Sequence, residues 1–136
     1  GTMELPDDTP SEYHSLIEAL KCNGIDADGL PTWIPQDYSI SSVTAKITDG
    51  VTRCVAVFES ERGELTMRVT AYSMENTSAT EERDETSVCY SKGNVDYYII
   101  SNYDQSKVAW QLGLNTYVIG GQISENEAKE IIDSIT

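Results

Sequence analysis

Apolar residues recur along this chain with two different periods, and the points where the period changes divide it into elements. Thr9-Pro10-Ser11-Glu12 has the signs of a helix start: a Thr N-cap, Pro at the first helical position, and Glu placed to reach back to an orphaned N–H. Tyr13, Leu16, Ile17 and Leu20 follow at helical spacing, and Asn23-Gly24 supplies residues suited to a helix end, which predicts a helix over about residues 10 to 22. From Ile25 to Pro35 the chain is turn-rich, and Pro31 and Pro35 bracket Trp33 and Ile34 in a connector pinned by its apolar residues.

After the connector the period becomes two. Ile40 to Thr48 and Val51 to Glu59 flank Asp49-Gly50, a strong hairpin signal, and pairing across it puts Val43, Ala45 and Ile47 on one face with Cys54, Ala56 and Phe58. Leu65, Met67, Val69 and Ala71 alternate with Thr66, Arg68 and Thr70, which describes a third strand with one buried face. Residues 75 to 87 lose every apolar period and read as a long loop. Val88 to Tyr90 forms a short strand, Gly93-Asn94 a turn, and Val95 to Tyr103 a β-branched and aromatic run.

Two-residue turns at Asp104-Gln105 and Leu114-Asn115 would set Ile99 opposite Trp110, and Trp110 opposite Ile119. Gly120-Gly121 ends the last strand, and Ser124-Glu125-Asn126-Glu127 opens a helix as a capping box. Ala128, Ile131, Ile132 and Ile135 repeat at helical spacing and need an apolar surface. Trp110, Ile99, Ile119, Ile131 and Ile135 are therefore the predicted core between sheet and helix. The fold class is α+β: a curved antiparallel sheet of about six or seven strands, with an N-terminal helix and a C-terminal helix packed on one face.

A length of 136 residues fits one domain over residues 9–136, preceded by Gly1-Thr2-Met3, which reads as the scar of a cleaved tag, and a disordered start over 1–8. Twenty-three acidic residues against nine basic ones leave a net charge of -14, with no local basic patch along the sequence. Nucleic acid and anionic lipid are accordingly not expected as partners. No apolar run is long enough to insert in a membrane. Cys22, Cys54 and Cys89 form no CxxC pair. Cys54 and Cys89 suit core packing, and a bridge between them stays open.

The chemistry-bearing residues are sparse. His14 is the one histidine, so any Ser-His-Asp, Cys-His or multi-histidine metal site would have to pass through it, and no partner is placed beside it by spacing. Asp26-Ala27-Asp28-Gly29 has alternating carboxylates, but an EF-hand loop from Asp26 would put Pro31 where Gly is required. Gly113, Gly120 and Gly121 match no phosphate-binding loop. No catalytic residue, metal or cofactor is expected. Glu81, Glu82, Asp84 and Glu85 gather around Arg83 and would suit a basic protein partner. Six of the eight tyrosines lie in or beside predicted strands, and an exposed sheet face bearing Tyr98 would suit another chain or a sugar.

The segment "LPTWIPQDYSI", with Trp110, Gly113, Tyr117, Gly120 and the Ser124-x-x-Glu127 to Ser134-Ile135 pattern, resembles the bacterial DUF4367 family over residues 30–136. Pro35-Gln36-Asp37-Tyr38 departs from that family's Pro-x-Gly-Tyr start. The resemblance implies a domain of uncharacterised function carried outside the cytoplasmic membrane, often behind a transmembrane helix and in regulators similar to anti-sigma factors, and it brings no catalytic residues. The expected function is a non-enzymatic extracytoplasmic interaction or sensory domain of a membrane-anchored bacterial protein. The alternative is a small-ligand-binding or hydrolytic domain with a pocket between sheet and helix.

Overall fold

The computed structural model describes residues 11–72, 88–102 and 105–135. Their elements are β1 (Ser11–Glu12), α1 (Leu16–Cys22), β2 (Ser39–Thr48), β3 (Val51–Ser60), β4 (Gly63–Tyr72), β5 (Val88–Lys92), β6 (Val95–Asn102), β7 (Gln105–Leu112), β8 (Asn115–Gly121) and α2 (Glu125–Asp133). All strand pairs are antiparallel, in one open sheet ordered β1-β2-β3-β4-β8-β7-β6-β5. The chain builds one half of the sheet outward to β4, re-enters at the far edge as β5, and works back until β8 pairs with β4.

The first helix differs from its expected bounds. Thr9 and Pro10 lie outside the described residues, Ser11 and Glu12 pair with Ala45 and Thr44 as a strand, and the Tyr13 N–H donates to the Val43 carbonyl at 2.9 Å. The helix starts at a second signal of the same kind, Ser15-x-x-Glu18, where the Ser15 hydroxyl accepts from the Glu18 N–H at 3.1 Å. The later start leaves Ser11 and Glu12 to satisfy part of the edge of β2, which the earlier one would not. It also removes His14 from the helix and adds β1, making eight strands rather than six or seven.

Alternation decides which face each strand buries. One core row runs across the sheet through Val43, Ala56, Met67, Ile119, Val108 and Ile99, each facing the next and none more than 2% exposed. A second row holds Ala45, Cys54, Val69, Tyr117 and Trp110. Trp110 stacks on Tyr117 at 5.4 Å between centroids and meets Tyr97 at a tilt at 5.3 Å. Ile47 shares this face but lies at the hairpin end and is 63% exposed, while the hairpin turns through Asp49 and Gly50, both with positive φ.

The register of the last three strands is displaced by two residues from the expected one: Ile99 faces Val108, and Trp110 faces Tyr117. The cause is in the turns. Gly113, with φ of +58°, and Leu114 make the β7–β8 turn, because glycine takes the left-handed position that Asn115 would otherwise have to supply. Asn102 pairs with Gln105 in the preceding hairpin. A turn displaced by one position moves the register by two, so every side chain keeps its face. At the end of β8, a Cβ on Gly121 would sit 2.1 Å from the Glu64 carbonyl oxygen, and that close approach requires glycine.

Both helices cover the apolar face: α1 rests on β2 and β3, α2 on β6 and β7. Ala128, Ile131 and Ile132 are fully buried and Ile135 is 5% exposed, joining Trp110, Ile99 and Ile119 in one cluster. Each buried isoleucine contributes roughly 1.5–3 kcal/mol. At the N-terminal end of α2 the capping box is complete, and Glu127 also receives Arg62, which bonds Asp37 on its other side and stacks over Tyr38. At the C-terminal end the Lys92 ammonium donates to the carbonyls of Ile132, Asp133 and Ile135, and Tyr90 donates to Asp133 at 2.7 Å. Ser134 closes onto the connector by accepting from the N–H groups of Thr32 and Trp33.

Three outcomes follow for stability and reactivity. Trp110→Ala should cost about 3–5 kcal/mol in chemical unfolding followed by far-UV circular dichroism. Trp110→Phe should cost less, because it also removes a buried indole N–H that has no acceptor. The hydrogen bonds from Arg62 hold the Asp37 and Glu127 carboxyls below their ordinary values. Depressed folded-state values mean that the stabilisation is present above the ordinary carboxylate range and is lost as pH falls through the depressed values. Arg62→Gln should therefore lower Tm near neutral pH, and the gap to the parent should close below about pH 4. A gap that stays constant into acid would separate Arg62 from these carboxylates. Cys22 and Cys89 are exposed and Cys54 is buried, all three as free thiols, and burial pushes the Cys54 thiol up to about 11. A thiol reagent should label Cys22 and Cys89 in the folded protein and Cys54 on unfolding.

Candidate functional site

Among the described residues, neither helix lies on the other face of the sheet. Its side chains come from the alternate positions of each strand, so their placement is set by the same period that builds the core. One row across it holds Val55, Arg68, Val118, Ala109, Tyr98 and Cys89; the next holds Val57, Thr66, Gly120, Lys107 and Ile100. Val55, Val57, Tyr98, Ile100 and Val118 are half-buried, whereas Arg68 and Lys107 are exposed. Tyr98, singled out from the sequence, is thus on the open face, between Cys89 and Ala109.

Charge on this face is near balance, unlike that of the chain as a whole: the exposed acids Glu12, Glu59, Glu64 and Asp96 share it with four cations. Lys46, Arg53, Arg68 and Lys107 all point outward here, on four strands, and all are exposed. The ion pairs among the described residues both belong to Arg62, at 2.8 Å to Asp37 and 2.8 Å to Glu127, so these four cations carry no ion pair there. The four lie far apart along the chain, and pleating and pairing bring them to one surface. Their signal in the sequence is phase: each occupies an outward position of its strand.

A depression of about 420 Å³ opens on this face over β4, β8, β7 and the end of β6. Gly120, Gly121 and Val118 line it from β8, Arg68 and Thr66 from β4, Lys107 and Gln105 from β7, and Ile100 and Asn102 from β6 beyond. The absent side chain at Gly120 helps make the hollow: a Cβ there would already meet the Lys107 side chain at 3.4 Å. The surface suits contact with a ligand or partner bearing negative charge and apolar groups.

The remaining candidates do not assemble into chemistry. His14 is exposed and precedes the N-cap of α1. Asp26 accepts the Asp28 N–H at 3.1 Å, a local turn, and among the described residues no group of three His, Cys, Asp or Glu side chains is placed to hold a metal ion. Burial raises the hydroxyls of Tyr97 and Tyr117, and the hydrogen bond to Asp133 raises that of Tyr90, so each stays a neutral phenol near neutral pH. Glu81, Glu82, Asp84 and Glu85 lie outside the described residues. Between sheet and α2 the space is filled by Ala128, Ile131 and Ile132.

No curated protein matches the chain. Among solved structures, the crystal structure of a GTP binding regulator from Thermotoga maritima is similar with a TM-score of 0.48 and 21% sequence identity, over 74% of this chain and 79% of that one. A family model described as a domain of unknown function, DUF4367, matches residues 28–135. That match takes in every strand from β2 to β8 together with α2, and the chain belongs to the DUF4367 family.

Proposed function

We propose that this chain is a non-enzymatic interaction or sensory domain of a membrane-anchored bacterial protein, that it works outside the cytoplasmic membrane, and that the open face of its sheet meets the partner. The observation that carries this reading is the asymmetry of the sheet. One face is covered by two helices, and the other presents half-buried valines, an isoleucine and a tyrosine beside cations that carry no ion pair among the described residues. Apolar surface interleaved with charge is the composition of a recognition surface. The family resemblance supports the extracytoplasmic setting, and the sparse titratable chemistry supports binding rather than catalysis. For a small ligand, the open face offers its depression, whereas Ala128, Ile131 and Ile132 of α2 are fully buried against the sheet.

The test uses the full-length protein in its own cells. A photocrosslinking residue at Val57 or Tyr98 should capture a partner, and one at Lys129 on α2 should not. Equal capture at both places, or none on the open face, would remove the assignment of that face. A membrane-impermeant maleimide should reach Cys22 and Cys89 in intact cells, since both thiols are exposed. Labelling only after lysis would place the domain inside.

A further inference from the structure

We propose that the depression over Gly120 receives a carboxylate presented by an apolar segment of a partner protein, with Arg68 and Lys107 as its charge partners. The proposal rests on the open face being the partner surface. Arg68 on β4 and Lys107 on β7 stand on either side of β8, and both line the same hollow. Each is exposed and without an ion pair among the described residues. Gly120 lies in register with Thr66 on one side and Lys107 on the other and leaves the hollow beside Lys107 without a side chain, while Val118 lies in register with Arg68.

The lining selects within the class of anions. Asn102 and Gln105, paired at the end of the β6–β7 hairpin, add amide donors at the rim, and the Arg68 guanidinium matches the planar geometry of a carboxylate. Ile100 and Val118 offer contact to the apolar residues that flank an acidic side chain in an extended segment. The net charge of -14 disfavours each further negative charge on the occupant, although screening confines that field to about 8 Å at physiological salt. A single carboxylate within an apolar segment meets this field at least cost. A nucleic acid or an anionic membrane meets it at most.

The experiment follows backbone amide shifts of the whole chain by NMR during titration with a blocked Val-Thr-Glu-Val-Val peptide, its Gln counterpart, and glutarate. The Glu peptide should move the amides of Val118, Gly120 and Lys107, and should bind roughly tenfold more tightly than the Gln peptide. Arg68→Gln and Lys107→Gln should each erase most of that preference, whereas Arg53→Gln, on the same face but outside the hollow, should keep it. Unshifted core amides in the variants show that they are folded. Equal affinity of the two peptides on the open face would overturn the carboxylate assignment and leave that face as a docking surface. Glutarate saturating the same amides at lower concentration than the peptide would overturn the partner segment in favour of a small anion. Absence of shifts on this face at millimolar peptide would overturn the proposal outright, and crosslinking in cells then judges the face separately.

Discussion

An eight-stranded sheet with one apolar face has to be covered, and this chain supplies helices of seven and nine residues to do it. Neither is long enough to hold its shape alone in water, because helix nucleation is costly and short helices recover too few hydrogen bonds. Their order comes from what they cover and from what holds their ends. For α2 the ends are held by residues distant in sequence: Arg62 at the N-terminus with Asp37 and Glu127, and Lys92 at the C-terminus on three carbonyls. The two cations therefore act on opposite partial charges, one through an intervening carboxylate and one directly on the carbonyl end.

This division of labour explains which parts of the structure could be read from the chain. Period-two alternation identified the faces of β2, β3, β4, β6, β7 and β8, and the Asp49-Gly50 turn and the Ser124–Glu127 capping box stand where their local chemistry puts them. Local rules failed where two local answers competed. Thr9-x-x-Glu12 and Ser15-x-x-Glu18 both have the form of a helix start, and the choice was made by the edge of β2, a tertiary partner. Gly113-Leu114 and Leu114-Asn115 are both plausible turns, and only the positive φ at Gly113 separates them. That error kept Trp110 in the core while giving it the wrong neighbours, since a register shift of two is silent in burial. Asp37 is occupied by the Arg62 contact, which no short-range pattern could reveal.

The candidate site was less legible than the core for a related reason. Tyr98 and its face followed from alternation, but a surface that joins Lys46, Arg53, Arg68 and Lys107 depends on strand order, and strand order is a global property. A chain-wide charge of -14 conceals it further, because the sum is dominated by acids placed elsewhere. The result is a molecule whose average charge is strongly negative, while the open face, where four cations meet Glu12, Glu59, Glu64 and Asp96, is near balance. Long-range encounter is governed by the first, and docking within a Debye length by the second.

Strand order also has a consequence for the chain during synthesis. The β2–β3–β4 meander is built from neighbouring hairpins and pairs early, as does the later β5–β8 meander. The ladder between β4 and β8, which joins Met67 to Ile119, must wait until the second meander exists in full. Until then β4 is an unsatisfied edge, with Leu65, Met67 and Val69 on its inner side and the backbone groups that will meet β8 unpaired. A nascent chain leaving the ribosome would therefore carry a sticky border for as long as the last half takes to emerge. The outward Arg68 on that strand offers some protection, since a charge on an open edge discourages the wrong strand from closing it.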